Sequence, residues 1–123
     1  MSSNPIKVAI VDDEQDILEM IEKFLKRGGN FEVTSFTNPL NALSTISDRY
    51  DVVLLDIMMP QMNGLDVLKE LRAKYPKLKV IMMTAYSTLD KVLNSHREGA
   101  IHYVMKPFFS MKSLEEKIYE IVK

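Results

Sequence analysis

The sequence predicts an α/β fold built on a parallel sheet with helices on both faces. Three observations predict it. Short, continuous apolar runs of strand length recur along the chain. Between them lie longer stretches whose apolar residues fall at helical spacing. The two patterns alternate through five strand–helix units, and strands separated by helices pair in parallel.

Val8-Ala9-Ile10-Val11 forms the first strand, and the acidic run Asp12-Asp13-Glu14 stops it. Ile17, Leu18, Ile21, Phe24 and Leu25 then share one helical stripe. Gly28-Gly29 closes that helix, because glycine tolerates the left-handed conformation. Residues 31–36 make a weaker, half-polar strand. Asn38-Pro39 starts the second helix, with Asn as cap and Pro in the first helical position. Leu40, Leu43 and Ile46 are its expected buried side. Val52-Val53-Leu54-Leu55 is the clearest central strand, and Asp56 ends it.

Residues 58–64 hold Pro60 and Gly64 and read as a loop. Leu65, Leu68 and Leu71 mark the third helix, closed before Pro76. Residues 80–83 form a fourth strand that ends at Thr84. A fourth helix is expected from near Ser87 or Thr88 to Gly99. Residues 101–105 make the fifth strand, broken at Lys106-Pro107. The last helix carries Leu114, Ile118, Ile121 and Val122, with Ser113 and Glu116 spaced as a capping box.

The length of 123 residues suits one domain, with no repeat or linker inside it. A hydrophobic share of 46% and a charged share of 27% argue against disorder. The formal net charge of −1 leaves no electrostatic footprint for nucleic acid or for an anionic membrane. Cysteine is absent, so disulfides and thiolate metal sites are excluded. The polar start has no leader-peptide pattern, and no apolar run approaches membrane-spanning length. A cytoplasmic protein is the expectation.

The polar residues gather at the carboxyl ends of the predicted strands, where open parallel sheets bind ligands. Asp12-Asp13 end the first strand, Asp56 the third and Thr84 the fourth, while the fifth runs into Lys106. Three carboxylates at one sheet edge repel each other unless shared protons, a cation or both offset them. Oxygen-only ligands favour a hard cation such as Mg²⁺. A carboxylate, a cation, a hydroxyl and a lysine are the parts that stabilise a transferring phosphoryl group. Asp56 is the natural acceptor, because an ionised carboxylate needs no general base. Singly, each residue has a plainer role. Asp13 or Glu14 fits a helix cap, Thr84 a β-former and Lys106 a solvated lysine.

Together the motifs resemble the receiver domain of bacterial two-component response regulators. They are Asp12-Asp13, Asp56 with Met59-Pro60 and Asn63-Gly64 behind it, Thr84-Ala85, and Lys106-Pro107-Phe108. The resemblance covers about residues 6–122 of a single domain over residues 1–123. It implies a flavodoxin-like (βα)5 doubly wound sheet with strand order 2-1-3-4-5. It also implies that Asp56 accepts a phosphoryl group from a phosphohistidine on a sensor histidine kinase or phosphotransfer protein.

Asp13, Asp56 and the Met58 backbone carbonyl would hold Mg²⁺, or Mn²⁺ in its place, with Asp12 acting through bound water or as a ligand. Lys106 would contact a phosphoryl oxygen. Thr84 and the aromatic Tyr103 would form the switch, and the Lys106-Pro107 peptide would be cis. Such a domain is a signalling phosphoacceptor rather than an enzyme of external substrates. Its output surface would be the fourth helix, fifth strand and fifth helix, open to a partner or to a second copy of the chain. The sequence fits a stand-alone receiver or part of a longer regulator.

Two positions depart from commoner family choices. Met58 is apolar and Tyr86 is bulky, and both would flank the attacked phosphorus. They are expected to gate water and lengthen the phosphoryl lifetime. His96 and His102 have no partner pattern and read as surface or packing residues. Met58, Met59 and Met62 read as adaptable packing around a loop rather than as a copper(I) site. A small-molecule phosphatase of the aspartyl type is a competing reading, but Met58 stands where such enzymes carry a second Asp. A flavin carrier on the same fold is another, but its phosphate would meet an acidic loop.

Overall fold

The computed structural model describes residues 5–85, 102–106 and 111–122. Five parallel strands form one sheet: β1 (Ile6–Val11), β2 (Phe31–Phe36), β3 (Val52–Asp56), β4 (Lys79–Ala85) and β5 (His102–Lys106). The helices are α1 (Gln15–Lys26), α2 (Pro39–Thr45), α3 (Gly64–Lys74) and a C-terminal helix (Met111–Val122). The order across the sheet is β2-β1-β3-β4-β5, as the resemblance implies. The predicted fourth helix lies outside the described residues.

The order follows from burial. Val52, Val53, Leu54 and Leu55 are fully buried, because β3 is covered on both faces. Alternate residues along a strand face opposite sides. Thus Val8, Ile10, Val52 and Leu54 pack under α1 and the C-terminal helix. Ala9, Val11, Val53 and Leu55 pack under α2 and α3. Each large side chain buried this way contributes roughly 1.5–3 kcal/mol. The half-polar β2 is an edge strand, which explains its weaker pattern.

Local signals set the helix ends. Asn38 Oδ1 accepts from Leu40 N at 2.8 Å, with Pro39 in the first helical position, as predicted. Gly29 takes a left-handed φ of 74° just past α1. Three expectations need correction. Leu40 is 56% exposed, so of the expected buried side only Leu43 and Ile46 pack on the core, and Pro39 and Ala42 are buried beside them. The C-terminal helix begins at Met111, so Ser113 sits inside its first turn and not at a cap position. Glu14 is the N-cap residue of α1 but makes no side-chain cap bond.

Candidate functional site

β1 has its two neighbours on opposite sides, reached by connections that leave in opposite directions. This topological switch point opens a crevice beyond the carboxyl ends of β1 and β3. The register pairs Val11 with Leu55, so the next residues, Asp12 and Asp56, emerge side by side. Both are buried, Asp12 at 0% and Asp56 at 5% exposure, and they are the only buried charged residues among those described. Asp13 is more open to solvent.

One carboxylate oxygen from each of Asp12, Asp13 and Asp56 lies within 4.8 Å of the others. Buried carboxylates this close repel strongly, since low polarity weakens screening. All three donors are hard oxygens, which suits a divalent cation of the Mg²⁺ type. The residues present therefore fit such an ion.

Asp12 also has a local task. Its Oδ1 accepts from Glu14 N at 2.9 Å, a bond that turns the chain from β1 into α1. Its main-chain N donates to Phe36 O at 3.1 Å, tying the same turn to β2. The turn at the end of β1 is thereby fixed from two sides.

The loop after Asp56 is clamped at its base. Ile57 N donates to Met83 O at 3.3 Å, and Gly64 N donates to Ile57 O at 2.7 Å. Asn63 caps α3, its Oδ1 accepting from Leu65 N at 2.8 Å. The sequence shows Asn63-Gly64 as a motif, yet the cap geometry and the contact at Gly64 were not legible there. The signal was present: Asn directly before Gly and a helical apolar stripe. Met59 is buried and Met62 packs on the core, while Met58 is 53% exposed. Two of the three loop methionines therefore serve packing, as expected.

The other predicted residues are placed by their strands. Asp56 pairs with Met83, so Thr84 follows one position later at the same sheet edge. Ala85 pairs with Lys106, which puts Lys106 at that edge as well. Tyr103 pairs with Met82 within β5. The side chains of Thr84, Tyr103 and Lys106 lie outside the described residues, as do Tyr86, His96 and Pro107 entirely. His102 begins β5 in register with Ile81 and, through it, with Leu54, two positions before the level of Asp56.

Comparison with known proteins agrees with this geometry. Residues 8–119 match the family model of the response regulator receiver domain. The transcriptional regulatory protein FlgR of Helicobacter pylori is 36% identical over 118 residues, covering 96% of this chain and 30% of that protein. The DNA-binding transcriptional regulator NtrC of Escherichia coli K12 is 39% identical over 102 residues, covering 82% of this chain and 22% of that protein. The chain thus spans less than a third of the length of these relatives. A CheY-like receiver domain protein from Methanospirillum hungatei superposes with a TM-score of 0.86 at 30% identity, covering 97% of this chain and 94% of that one. The N-terminal receiver domain of a Bacteroides fragilis response regulator gives 0.86 at 30% identity, covering 98% of each chain. By sequence, topology and the placement of its acidic cluster, the chain belongs to the response regulator receiver domain family.

Proposed function

We propose that this receiver takes a phosphoryl group onto a carboxylate oxygen of Asp56. The observation that carries the reading is the convergence of Asp12, Asp13 and Asp56 at the switch point, with oxygens within 4.8 Å of one another. The donor is a phosphohistidine on a sensor histidine kinase or phosphotransfer protein. An Asp56 oxygen attacks phosphorus, the O–P bond forms, and the N–P bond to the donor imidazole breaks. No base is needed, because the carboxylate is already ionised. Asp13, Asp56 and the Met58 carbonyl would hold Mg²⁺, with Asp12 acting through bound water or as a ligand. When bound, Mg²⁺ offsets charge on the phosphoryl oxygens.

Lys106 takes a phosphoryl oxygen from the β5 side. Thr84 turns its hydroxyl toward the new group, and Tyr103 follows inward. The added charge shifts an equilibrium between two surface states of the region around β5 and the C-terminal helix. That surface controls an output partner or a second copy of the chain. The names of the relatives, both transcriptional regulators, support an output in gene control. The chain acts as a phosphoacceptor in the cytoplasm and turns over no external substrate. Among the described residues, no helix is long and apolar enough to cross a membrane.

Borohydride reduction of the phosphorylated chain tests the acceptor. It converts an aspartyl phosphate to homoserine, which peptide mass spectrometry locates. Homoserine at position 56 is the expected result, and homoserine at position 12 or 13 would contradict it.

A further inference from the structure

The opposite end of the sheet carries a second concentration of charge that phosphotransfer does not use. A cavity of about 400 Å³ opens there, beside the first residues of β4 and β5. Val80 and Ile121, exposed by only 3% and 7%, form its apolar floor. Arg72, Lys77, Lys79 and His102 stand around it, and no carboxylate lines it among the described residues. The whole chain has a formal charge of only −1, so this cationic concentration is local.

Helix α3 explains part of it. Arg72 and Lys74 lie in the last turn, where cations offset the helix dipole. Lys77 and Lys79 lie beyond the helix and are exposed, so the dipole does not account for them. Arg72 is fixed: its Nη1 donates to the Leu78 carbonyl at 2.8 Å. That bond orients the guanidinium without neutralising it, which leaves an anchored charge at the cavity mouth.

A second cavity of about 270 Å³ shares Pro76 and Lys77 with the first. Its wall includes Tyr50, Tyr75 and Asp48. Both tyrosines rest on the core, which holds their rings in place. Lys7 Nζ stands 5.4 Å from the centroid of Tyr50 and covers one face of that ring. Aromatic walls suit a flat heterocycle, and Asp48 offers an acceptor for an amino or hydroxyl group.

We propose that these two adjoining cavities bind a nucleoside phosphate, with its phosphates among Arg72, Lys77 and Lys79 and its base against the Tyr50–Tyr75 wall. Charge-assisted bonds from Arg and Lys to phosphate oxygens give the affinity. The first cavity by itself, at about 400 Å³, is of ligand size, since ligand cavities typically span about 300–1,000 Å³. This site stands apart from Asp56 and does not depend on the acceptor reading.

Calorimetric titration with ADP tests it, in the presence of a chelator so that no cation bridges the nucleotide to the acidic cluster. Saturable one-to-one binding is expected, weakened about tenfold or more in Lys77→Glu/Lys79→Glu. Phosphorylation at Asp56 and the thermal midpoint of that variant serve as folding controls, and both should stay near wild type. Adenosine binding as tightly as ADP would remove the role of the phosphates. Pyrophosphate binding as tightly as ADP would remove the role of the base. Absence of saturation, or equal ADP affinity in the double variant, would overturn the site altogether.

Discussion

Gly64 stands directly against the backbone of Asp56. A Cβ placed on Gly64 would overlap the Asp56 carbonyl oxygen and come 2.7 Å from Ile57 Cα. Both obstacles are main chain, so neither can swing aside. The first residue of α3 is therefore locked to the end of the acceptor strand, with Gly64 N donating to Ile57 O.

Gly64→Ala follows from this contact. Helix propensity alone would have alanine stabilise α3 by up to about 1 kcal/mol. The clash reverses the sign, since overpacking against fixed backbone costs roughly 1–3 kcal/mol. Urea unfolding should show the loss, and phosphorylation should slow as the Asp56 loop shifts. A variant as stable as wild type would mean that the contact relaxes freely.

Asn63 and Asn38 make the same cap bond at different helices, each with Oδ1 accepting at 2.8 Å. Replacing either by alanine should cost about 0.5–2 kcal/mol of stability. Only Asn63→Ala should also alter phosphorylation, because Asn63 ends the acceptor loop. Equal phosphorylation rates in the two variants would separate the cap from the site.

The carboxylate cluster predicts opposite effects with and without metal. In chelator, Asp13→Asn relieves repulsion among three nearby carboxylates, so the thermal midpoint should rise. Added Mg²⁺ should stabilise the wild type by mass action and stabilise Asp13→Asn much less. The Mg²⁺ needed for half-maximal phosphorylation should rise about tenfold or more in the variant. Asp12→Asn keeps an acceptor for Glu14 N, so its turn should survive. Identical Mg²⁺ dependence in wild type and Asp13→Asn would remove Asp13 from the ligand set.

Met58, two residues after Asp56, is 53% exposed. Met58→Asn and Tyr86→Ala should each shorten the phosphoryl lifetime by admitting water. The decay of the phosphorylated species measures this. Unchanged lifetimes in both variants would dismiss the gate.

Much of the fold was legible because the central strands β1 and β3 are apolar runs stopped by an aspartate. Val52 to Asp56 shows it best: four apolar residues, then the proposed acceptor. Legibility failed where an element was short. α2 has seven residues, too few for periodicity to separate Leu40 from the buried Ala42. Ile46 is buried as expected, but from an extended cap position rather than from the helix itself. The spacing of Ser113 and Glu116 imitates a capping box, yet the helix starts two residues earlier.

At the site, Asp12 and Asp56 were legible as strand-end residues. Their adjacency was legible only through the strand order that the resemblance implies, because it depends on the pairing of Val11 with Leu55 across the sheet. The clash at Gly64 was equally hidden, since it depends on how closely α3 approaches β3.

Intact-mass measurement after exposure to a small phosphodonor with Mg²⁺ tests the central claim most directly. One added phosphoryl group should appear on the wild-type chain. It should be absent in Asp56→Asn and in the presence of chelator. Labelling that persists in Asp56→Asn would contradict the assignment of Asp56 as acceptor.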